Sequence, residues 1–319
     1  MDKLKVGVVG VGHLGQHHAR ILAENPDCEL FGIADTDKKA ANKIANAYNT
    51  QGFFDYKHLL GKVDAVSIAV PTILHYDIAK EFMEHGTHVL VEKPITTTIE
   101  QAAELIELSK KYKVILQVGH IERFNAAVVK LRTIIDNPLF IEAHRLGPYD
   151  PRVKDIGVVL DLMIHDIDLI LQVVNSPVKS IDALGVGIYD STKEDIANAR
   201  IKFENGCTAN LTVSRVTPVK KRKIRFFQND AYISINLARQ NMEIYNRIEL
   251  PKTKDGENPV TIKRKKVSIT KEEPLKMELE HFLDCVRKGK EPEVTGVHGR
   301  NALEMAVAIS EIIRNTKVG

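Results

Sequence analysis

The chain of 319 residues has only three cysteines, Cys28, Cys207 and Cys285, which lie far apart with no Cys-x-x-Cys pair. An odd number of widely spaced cysteines argues against a disulfide framework and against a zinc ribbon. No apolar stretch reaches the roughly 18 residues of a membrane-spanning helix, and no signal peptide precedes the first apolar run. These absences favour a cytoplasmic protein without a membrane partner.

A strong net charge is also missing. Lys and Arg number 45 and Asp and Glu 42, for a formal net charge of +3, so composition does not favour a nucleic-acid partner. Two basic clusters, 220–223 and 263–266, adjoin strand-like alternation and contain no interleaved aromatic residues. We therefore interpret both as solvated strand ends. The 44% hydrophobic content and the chain length suit a two-domain globular protein.

A glycine-rich turn follows the first apolar run. Residues 6–9 are apolar, and they lead into Gly10-x-Gly12-x-x-Gly15 and then into a helical pattern over 16–25. In this strand–turn–helix context Gly10 permits a tight turn, and Gly12 lets backbone N–H groups approach a pyrophosphate. Gly15 lets the helix pack closely on the strand, and the start of the helix favours phosphate. The motif predicts a dinucleotide-binding site.

The identity of the dinucleotide is indicated by Asp35. It ends a second apolar strand over 29–34, at the distance from the glycine motif where a ribose-binding acid is expected. Its carboxylate can accept hydrogen bonds from both ribose hydroxyls and would repel a 2′-phosphate. The sequence therefore predicts NAD as the cofactor, rather than NADP.

Strands and helices alternate from Asp35 to residue 119, with strands over 63–70, 87–91 and 114–118 and helices over 38–48, 74–85 and 99–112. This alternation predicts right-handed βαβ units in a doubly wound parallel sheet, a Rossmann domain over 1–121. Ligands of such sheets bind beyond the carboxyl ends of the strands. The expected cofactor-binding residues are Gly10, Gly12, His13, Leu14, Gly15, Asp35, Val70, Pro71, Thr72, His75, Glu92 and Lys93.

Lys93 follows a predicted strand and precedes Pro94. A residue before proline is kept out of the helical region, so Lys93 is expected to extend toward the ligand crevice. There it could contact both the nicotinamide ribose and a substrate hydroxyl. An ordinary surface lysine would fit the same position, and spacing alone leaves both interpretations open.

A mostly apolar helical pattern over 155–174 carries a polar stripe. Asp161, His165, Asp168 and Gln172 lie at i, i+4, i+7 and i+11, which places them on one face. Asp161 can orient or charge-stabilise His165, which then serves as a general acid/base near neutral pH. A structural Asp–His pair at a domain interface is the alternative. Because no third ligand lies nearby, we expect no metal site.

The second half of the chain has short strands separated by turns, several of them Asn-Gly or Asn-Asp. We predict strands over 178–188, 196–203, 207–216, 223–227, 231–237 and 242–248, followed by helices over 275–288 and 301–315. The pattern indicates an α+β domain with a mostly antiparallel sheet over 122–319. Overall the fold class is α/β.

Together these motifs resemble the glucose–fructose oxidoreductase / inositol dehydrogenase / MocA (Gfo/Idh/MocA) family over essentially the whole chain. The resemblance is carried by GVGHLG at 10–15, Glu92-Lys93-Pro94, Gly119-His120 with Arg123-Phe124, and Asp161-x-x-x-His165. It implies a NAD-dependent dehydrogenase acting on a secondary hydroxyl. Lys93 would link cofactor and substrate, and Asp161 and His165 would be the catalytic pair.

The chain departs from the family pattern near the catalytic helix. The family usually has glycine where Met163 stands, and often a glycine pair upstream where only Gly157 is present. The resemblance therefore implies a bulkier start to this helix, which bears on the shape of the substrate more than on the chemistry.

Two segments, GHIERFNAAV and YDPRVKDIGVVLDLMIHDIDL, are similar to the family branch that acts on UDP-linked amino sugars. This resemblance implies oxidation of UDP-N-acetylglucosamine at C3. Each of the two segments contains an arginine, Arg123 and Arg152. Arginine suits bidentate contact with phosphate, although structural ion pairs would explain these two residues about as well. The expected substrate-binding residues are His120, Arg123, Tyr149, Arg152, Asp161 and His165.

Two other functions remain open. One is a dehydrogenase of a free polyol or sugar, such as an inositol. The other is a catalytically silent NAD-binding regulator, which would need the glycines and Asp35 but not the acid/base pair. An open antiparallel sheet offers a face for pairing, so we expect a homodimer or homotetramer.

Overall fold

The computed structural model describes residues 3–150, 156–189, 192–251 and 259–316. Contacts within the chain form two compact units. Unit 1 comprises Met1–Phe124 with Glu273–Glu304, and unit 2 comprises Asn125–Glu272 with Met305–Gly319. In the described part of the chain, no helix is both long and apolar enough to cross a membrane.

Unit 1 contains a six-stranded, wholly parallel sheet with the strand order β3-β2-β1-β4-β5-β6. The strands are β1 (Leu4–Val9), β2 (Cys28–Ala34), β3 (Gln51–Phe53), β4 (Ala65–Ile68), β5 (His88–Glu92) and β6 (Leu116–Gly119). The crossover helices are α1 (Gly15–Glu24), α2 (Lys38–Ala47), α3 (His75–Glu84) and α4 (Ile99–Tyr112). The order reverses between β1 and β4, where ligands of doubly wound sheets bind. The predicted Rossmann fold is confirmed.

The helices begin and end where the sequence has the appropriate residues. Asp37 caps α2 by accepting from the N–H groups of Lys39 and Ala40, and Thr98 caps α4 by accepting from Gln101. Gly86, with φ of +75°, follows α3 in the left-handed conformation that glycine readily adopts after a helix. These local signals explain why helix bounds in this unit were predicted to within a residue or two.

Unit 1 also includes α7 (Pro274–Lys288), which comes from the far end of the chain. Its apolar face packs into the core that β1 and α1 form, through Leu275, Leu279, Phe282 and Leu283. Sequence reasoning placed this helix in the domain over 122–319. Its packing in unit 1 could not be read from its position in the chain, because an amphipathic stripe shows that a helix is buried, not what buries it.

Unit 2 contains an eight-stranded sheet with the order β14-β13-β12-β11-β7-β10-β9-β8. Its strands are β7 (Phe140–Leu146), β8 (Val178–Val186), β9 (Ile196–Phe203), β10 (Thr208–Ser214), β11 (Lys221–Phe227), β12 (Ala231–Asn236), β13 (Asn241–Glu249) and β14 (Val260–Val267). Its helical segments are α5 (Ala126–Leu131), a π-helical turn (Val159–Met163), α6 (Ile164–Val174) and the end of α8 (Gly296–Thr316). Only β7 and β10 pair in parallel, which confirms a mostly antiparallel sheet.

Sequence reasoning missed strands β3, β7 and β14. The outward face of β7 carries polar side chains, and every residue of β14 but the last is exposed. Strands β7 and β14 therefore lack the apolar run from which the other strands were predicted. The two basic clusters lie at or near these strands: 220–223 runs into β11, and 263–266 lies within β14, where Arg264 pairs with Glu243.

Candidate functional site

The glycine turn joins β1 to α1 in unit 1. Gly10 has φ of +84°, a left-handed conformation that side chains disfavour. A Cβ on Gly15 would lie 1.8 Å from the Gly10 carbonyl oxygen, so only glycine permits this approach of helix to turn. A Cβ on Gly12 would meet no described atom within 4 Å. Gly12 is thus free of any packing requirement and faces open space, as a phosphate-binding glycine should.

The start of α1 suits an anion. Within the described residues no side chain caps this helix, and its first turn contains no acidic residue. The positive end of the helix dipole at this start therefore has no neighbouring carboxylate in its first turn and favours an anion. His13 and Leu14 of the turn are exposed; the His13 ring lies edge-on to His17, at 5.9 Å between centroids.

Asp35 reinforces the turn. Its Oδ2 accepts from the Val11 N–H at 2.8 Å, and its Oδ1 accepts from the Asp37 N–H at 2.8 Å. Each carboxylate oxygen keeps a second lone pair for a ribose hydroxyl. Asp35 also lines a cavity of about 640 Å³ together with Gly10, Gly12, Val70 and Pro71. This volume is within the usual range for a ligand pocket, so the residues present fit the adenosine half of NAD.

Thr72 and His75 follow the cavity wall but do not line it. His75 is buried, and its Nδ1 and Nε2 lie 2.8 Å from the Pro94 carbonyl oxygen and 2.9 Å from that of Val70. Burial lowers the pKa of His75, although both carbonyl contacts oppose the shift. Through these two contacts His75 ties the ends of two strands together. A contact between His75 and the cofactor stays a prediction.

Lys93 leaves the end of β5, half-buried, and its peptide bond to Pro94 is cis. The preceding Glu92 is buried; one carboxylate oxygen lies 3.2 Å from His18 Nε2 and the other accepts from the Lys93 N–H at 3.3 Å. Burial by itself raises the pKa of Glu92, but His18 and Lys93 outweigh it, and the pKa is lower than usual. Lys93 therefore follows a buried carboxylate.

Two predicted substrate ligands of unit 1 lie deeper than expected. His120 is 1% exposed, and Arg123 is 2% exposed with its Nη1 3.7 Å from the Glu293 carboxylate. This arrangement favours the structural ion-pair alternative for Arg123 over a phosphate contact. Arg152 lies outside the described residues.

In unit 2, Asp161 lies in the π-helical turn and His165 in the first turn of α6, and both are half-buried. The Ile164 N–H bonds to the Val159 carbonyl oxygen, which widens the helix at this point. Such π turns recur at functional sites. The sequence predicted the shared face but not the wider turn. Asp168 is buried, whereas Gln172 is half-buried.

The start of this helix is held by Glu194. Its backbone carbonyl accepts from the Val158 N–H at 3.1 Å, and its carboxylate accepts from the Val159 N–H at 3.2 Å. A Cβ on Gly157 would lie 2.0 Å from Glu194 Oε1, so this glycine is needed for the carboxylate to approach. Met163 is fully buried, which means that its bulk fills the core.

Two buried ion pairs support the same segment. Arg145 of β7 holds Asp166 with two hydrogen bonds, at 3.1 and 2.8 Å. Arg215 binds Asp195 through Nε at 2.5 Å and the Ile156 carbonyl through Nη1 at 2.8 Å. Sequence reasoning missed all four residues. The available signal was Asp166, a carboxylate on the apolar side of the helix that needs a partner if buried.

Asp195 also organises the surroundings of Tyr149. Its Oδ2 accepts from the N–H groups of Ile188 and Tyr189, each at 2.6 Å. Burial alone would raise the pKa of Asp195, but these bonds and Arg215 lower it. The centroids of the Tyr189 and Tyr149 rings lie 4.4 Å apart, and the Arg215 guanidinium carbon lies 5.5 Å from the Tyr149 centroid. Tyr149 is thus packed beside the start of the helix that carries Asp161.

The fold and the glycine turn define a class: an oxidoreductase-type chain with a Rossmann dinucleotide-binding unit. The family model described as oxidoreductase family, NAD-binding Rossmann fold, matches residues 4–120, and the GFO/IDH/MocA C-terminal domain matches residues 128–244. The chain belongs to the Gfo/Idh/MocA family. The recognition made from its motifs is confirmed, as is NAD as the cofactor.

The chain is similar to UDP-N-acetylglucosamine 3-dehydrogenase of Acidithiobacillus ferrooxidans, with 35% identity over 97% of each chain. A solved structure of that enzyme superposes with a TM-score of 0.90 and 34% identity, covering 99% of each chain. The chain is also 26% identical to the NAD(+)-dependent scyllo-inositol 2-dehydrogenase of Bacillus subtilis, over 98% of this chain and 95% of the relative.

Proposed function

We propose that the protein is a NAD-dependent dehydrogenase that oxidises C3 of UDP-N-acetylglucosamine. The observation that carries this proposal is the full-length similarity to a UDP-N-acetylglucosamine 3-dehydrogenase in a chain that retains Lys93, Asp161 and His165. A silent regulator would need the glycine turn and Asp35 but not these three residues. Their presence therefore favours an enzyme.

In the proposed reaction His165, oriented by Asp161, takes the proton from the C3 hydroxyl as general base. Lys93 hydrogen-bonds the same oxygen and stabilises the alkoxide as its charge develops. NAD, when bound, accepts the hydride from C3. The products are the 3-keto sugar nucleotide, NADH and a proton on His165. As a cytoplasmic enzyme, the protein would supply this ketone to an aminotransferase, a route to the 3-amino sugar of lipid A.

The substrate is tested by incubating the protein and NAD with UDP-N-acetylglucosamine or with myo-inositol while following the absorbance of reduced nicotinamide. Hydrazine in both reactions traps the ketone and draws the equilibrium forward. We expect reduction only with the sugar nucleotide. The inositol dehydrogenase relative makes a free polyol the second candidate, and a response to myo-inositol alone would establish it instead.

The preference for NAD over NADP is assigned to Asp35. Replacing Asp35 with alanine removes the charge that repels a 2′-phosphate, together with the acceptors for the Val11 and Asp37 N–H groups. We expect the ratio of kcat/KM for NAD to that for NADP to fall at least about tenfold. Unchanged discrimination would contradict the ribose role. Asp37→Ala, which loses a helix cap on the same loop, is the matched control.

For the quaternary structure we propose a homodimer or homotetramer that pairs through the outward face of the unit 2 sheet. A row of half-buried aromatic rings, Phe140, Phe227, Tyr232 and Tyr245, crosses that face with centroids 4.8–5.6 Å apart. Sedimentation of Tyr232→Lys against the parent chain tests this. We expect a shift toward monomer, and an unchanged mass would remove this face as the interface.

A further inference from the structure

A chain of buried polar groups in unit 1 connects α1 to the residue before Lys93. His18 of α1 is fully buried; its Nδ1 lies 2.7 Å from Ser67 Oγ on β4, and its Nε2 lies 3.2 Å from Glu92 Oε1 on β5. A carboxylate only accepts hydrogen bonds, so we assign a proton to Nε2, the ring nitrogen that faces Glu92 at ion-pair distance. The second Glu92 oxygen accepts from the Lys93 N–H.

The order serine, histidine, carboxylate is that of a hydrolytic triad, but this chain cannot act as one. Ser67 is fully buried in the middle of the parallel sheet, which leaves no room for a substrate beside its hydroxyl. Nor does stability by itself account for the set, because apolar side chains of similar volume commonly stabilise such a site at least as well. What the polar chain uniquely provides is a fixed carboxylate.

That carboxylate is held from several sides. His18 Nε2 lies 3.2 Å from one oxygen, the Lys93 N–H donates to the other, and a Cβ on Gly119 of β6 would lie 3.0 Å from the Glu92 Cδ. The backbone from which the Lys93 side chain departs is therefore attached to an immobilised group. Without His18, the Glu92 side chain would lose its donor and could adopt another rotamer, releasing the Lys93 N–H.

We propose that His18 is a positioning residue that acts through Glu92 to hold Lys93 where it meets the reacting hydroxyl. The inference rests on the proposed role of Lys93 and goes beyond it by assigning a function to a buried histidine of the first helix. A misplacement of a catalytic group by about 1 Å costs up to about 100-fold in rate. His18 should thus affect kcat while leaving the dinucleotide cavity intact.

The first test compares variants of His18 at saturating NAD and UDP-N-acetylglucosamine. His18→Gln keeps a donor that reaches Glu92, His18→Asn is too short to reach it, and His18→Leu removes both contacts. We expect kcat to fall about 10- to 100-fold for Leu and Asn and clearly less for Gln, with the Kd for NAD unchanged. Equal losses for Gln and Asn would contradict a role through Glu92.

His88→Leu is the matched control. His88 lies at the other end of the same strand, where its Nδ1 accepts from the Ile115 N–H at 2.9 Å. Its replacement should lower the Tm without changing kcat. If His88→Leu lowers kcat as much as His18→Leu does, the effect reflects general loosening of β5 and the proposal is overturned.

A double-mutant cycle separates this inference from the function on which it rests. In a Lys93→Ala background, His18→Leu should cause no further loss of kcat, because the group that His18 positions is gone. If the two losses multiply, the positioning role is wrong and the role of Lys93 stands. If Lys93→Ala alone keeps full turnover, the proposed function of Lys93 has failed instead. Should His18→Leu not fold, His18→Asn takes its place in the cycle.

A measurement without cofactor or substrate completes the test. Nitrogen-15 NMR of the histidine rings should show His18 protonated at Nε2, with a signal that shifts in Glu92→Gln but not in Glu107→Gln, an exposed position on α4. A His18 Nε2 without a proton, or one insensitive to Glu92→Gln, would overturn the proposal whatever the substrate is.

Discussion

The two units place their functional groups in different ways. In unit 1 the glycine turn, Asp35 and Lys93 all follow the carboxyl ends of parallel strands, so the topology of the sheet alone brings them to one edge. In unit 2 Asp161 and His165 lie at a helix start that Glu194, Arg215 and β7 hold from a distance in sequence. A backbone pattern builds the first arrangement, and buried charge pairs build the second. Substitutions in the two units should therefore have different effects on ligand binding and on stability.

The largest effect is expected for Lys93 and His165, the two residues to which the proposed reaction assigns the substrate hydroxyl. Lys93→Ala and His165→Ala should each lower kcat by about 10²- to 10⁴-fold, because in the proposed reaction Lys93 stabilises the alkoxide and His165 takes the proton. The Kd for NAD, measured by calorimetry, should stay within about threefold of the parent value, since the cavity residues are untouched. Lys110→Ala and His85→Ala, both exposed, serve as controls. Normal turnover of either test variant would remove that residue from the mechanism.

Arg215→Met tests how strongly the stability of unit 2 depends on its buried ion pairs. This change leaves Asp195 buried without its cation and frees the Ile156 carbonyl, so the free energy of unfolding should fall by about 3–5 kcal/mol. Arg264→Met removes an exposed pair with Glu243 and should leave stability nearly unchanged. Urea unfolding of the two variants measures the contrast. If both variants lost a similar free energy of unfolding, the buried pair would contribute no more to stability than the exposed one.

Gly12→Ala tests the role assigned to the backbone of the glycine turn in unit 1. A Cβ there meets no described atom, so the Tm should be unchanged, yet the methyl group would stand where a pyrophosphate approaches. We expect the Kd for NAD to rise at least about tenfold. Gly86→Ala is the matched opposite: its φ of +75° makes the change destabilising, but NAD binding should persist. A Gly12→Ala variant that binds NAD normally would contradict the assigned approach.

The smallest effect concerns acid stability. The pKa of Glu92 is lowered in the folded protein, so its contribution is complete above the unfolded value of 4.5 and is lost as pH falls through the folded value. Glu92→Gln should therefore lose less stability than the parent between about pH 6 and pH 3. Unfolding curves at several pH values, with Glu107→Gln as the exposed control, measure this. Parallel curves for Glu92→Gln and the parent would show that the ion pair does not stabilise the fold.

Much of the fold followed from the sequence because its signals are local. Alternating strands and helices, capping residues and turn glycines each act within a few residues, so the Rossmann unit and helix α4 were predicted well. Strands β7 and β14 were missed because polar residues interrupt both of them, Glu142, His144 and Arg145 in β7 and most of the exposed residues of β14. The π turn at Asp161 was missed because a helical stripe does not distinguish 3.6 residues per turn from a wider turn.

The residues of the candidate site also fall into two groups, those that local motifs predict and those whose partners depend on packing. Gly10, Gly12, Gly15, Asp35 and Lys93 could be proposed as site residues because each belongs to a short motif or follows a predicted strand. The sequence did not show the internal partners of two other predicted ligand contacts: Arg123 lies beside Glu293, and His75 lies between two backbone carbonyls. A residue type shows what a side chain can bind, and packing decides which partner it has.

By itself the sequence determined the class of fold, the glycine-rich turn and the polar stripe with Asp161 and His165, because the signal for each lies in neighbouring residues. Only the tertiary structure decided that His18 meets Glu92, that Arg215 meets Asp195 and that α7 packs beside β1. The physical reason is that a buried charge or apolar stripe demands a partner without specifying it. The partner is supplied by whichever strand or helix the folded chain brings alongside.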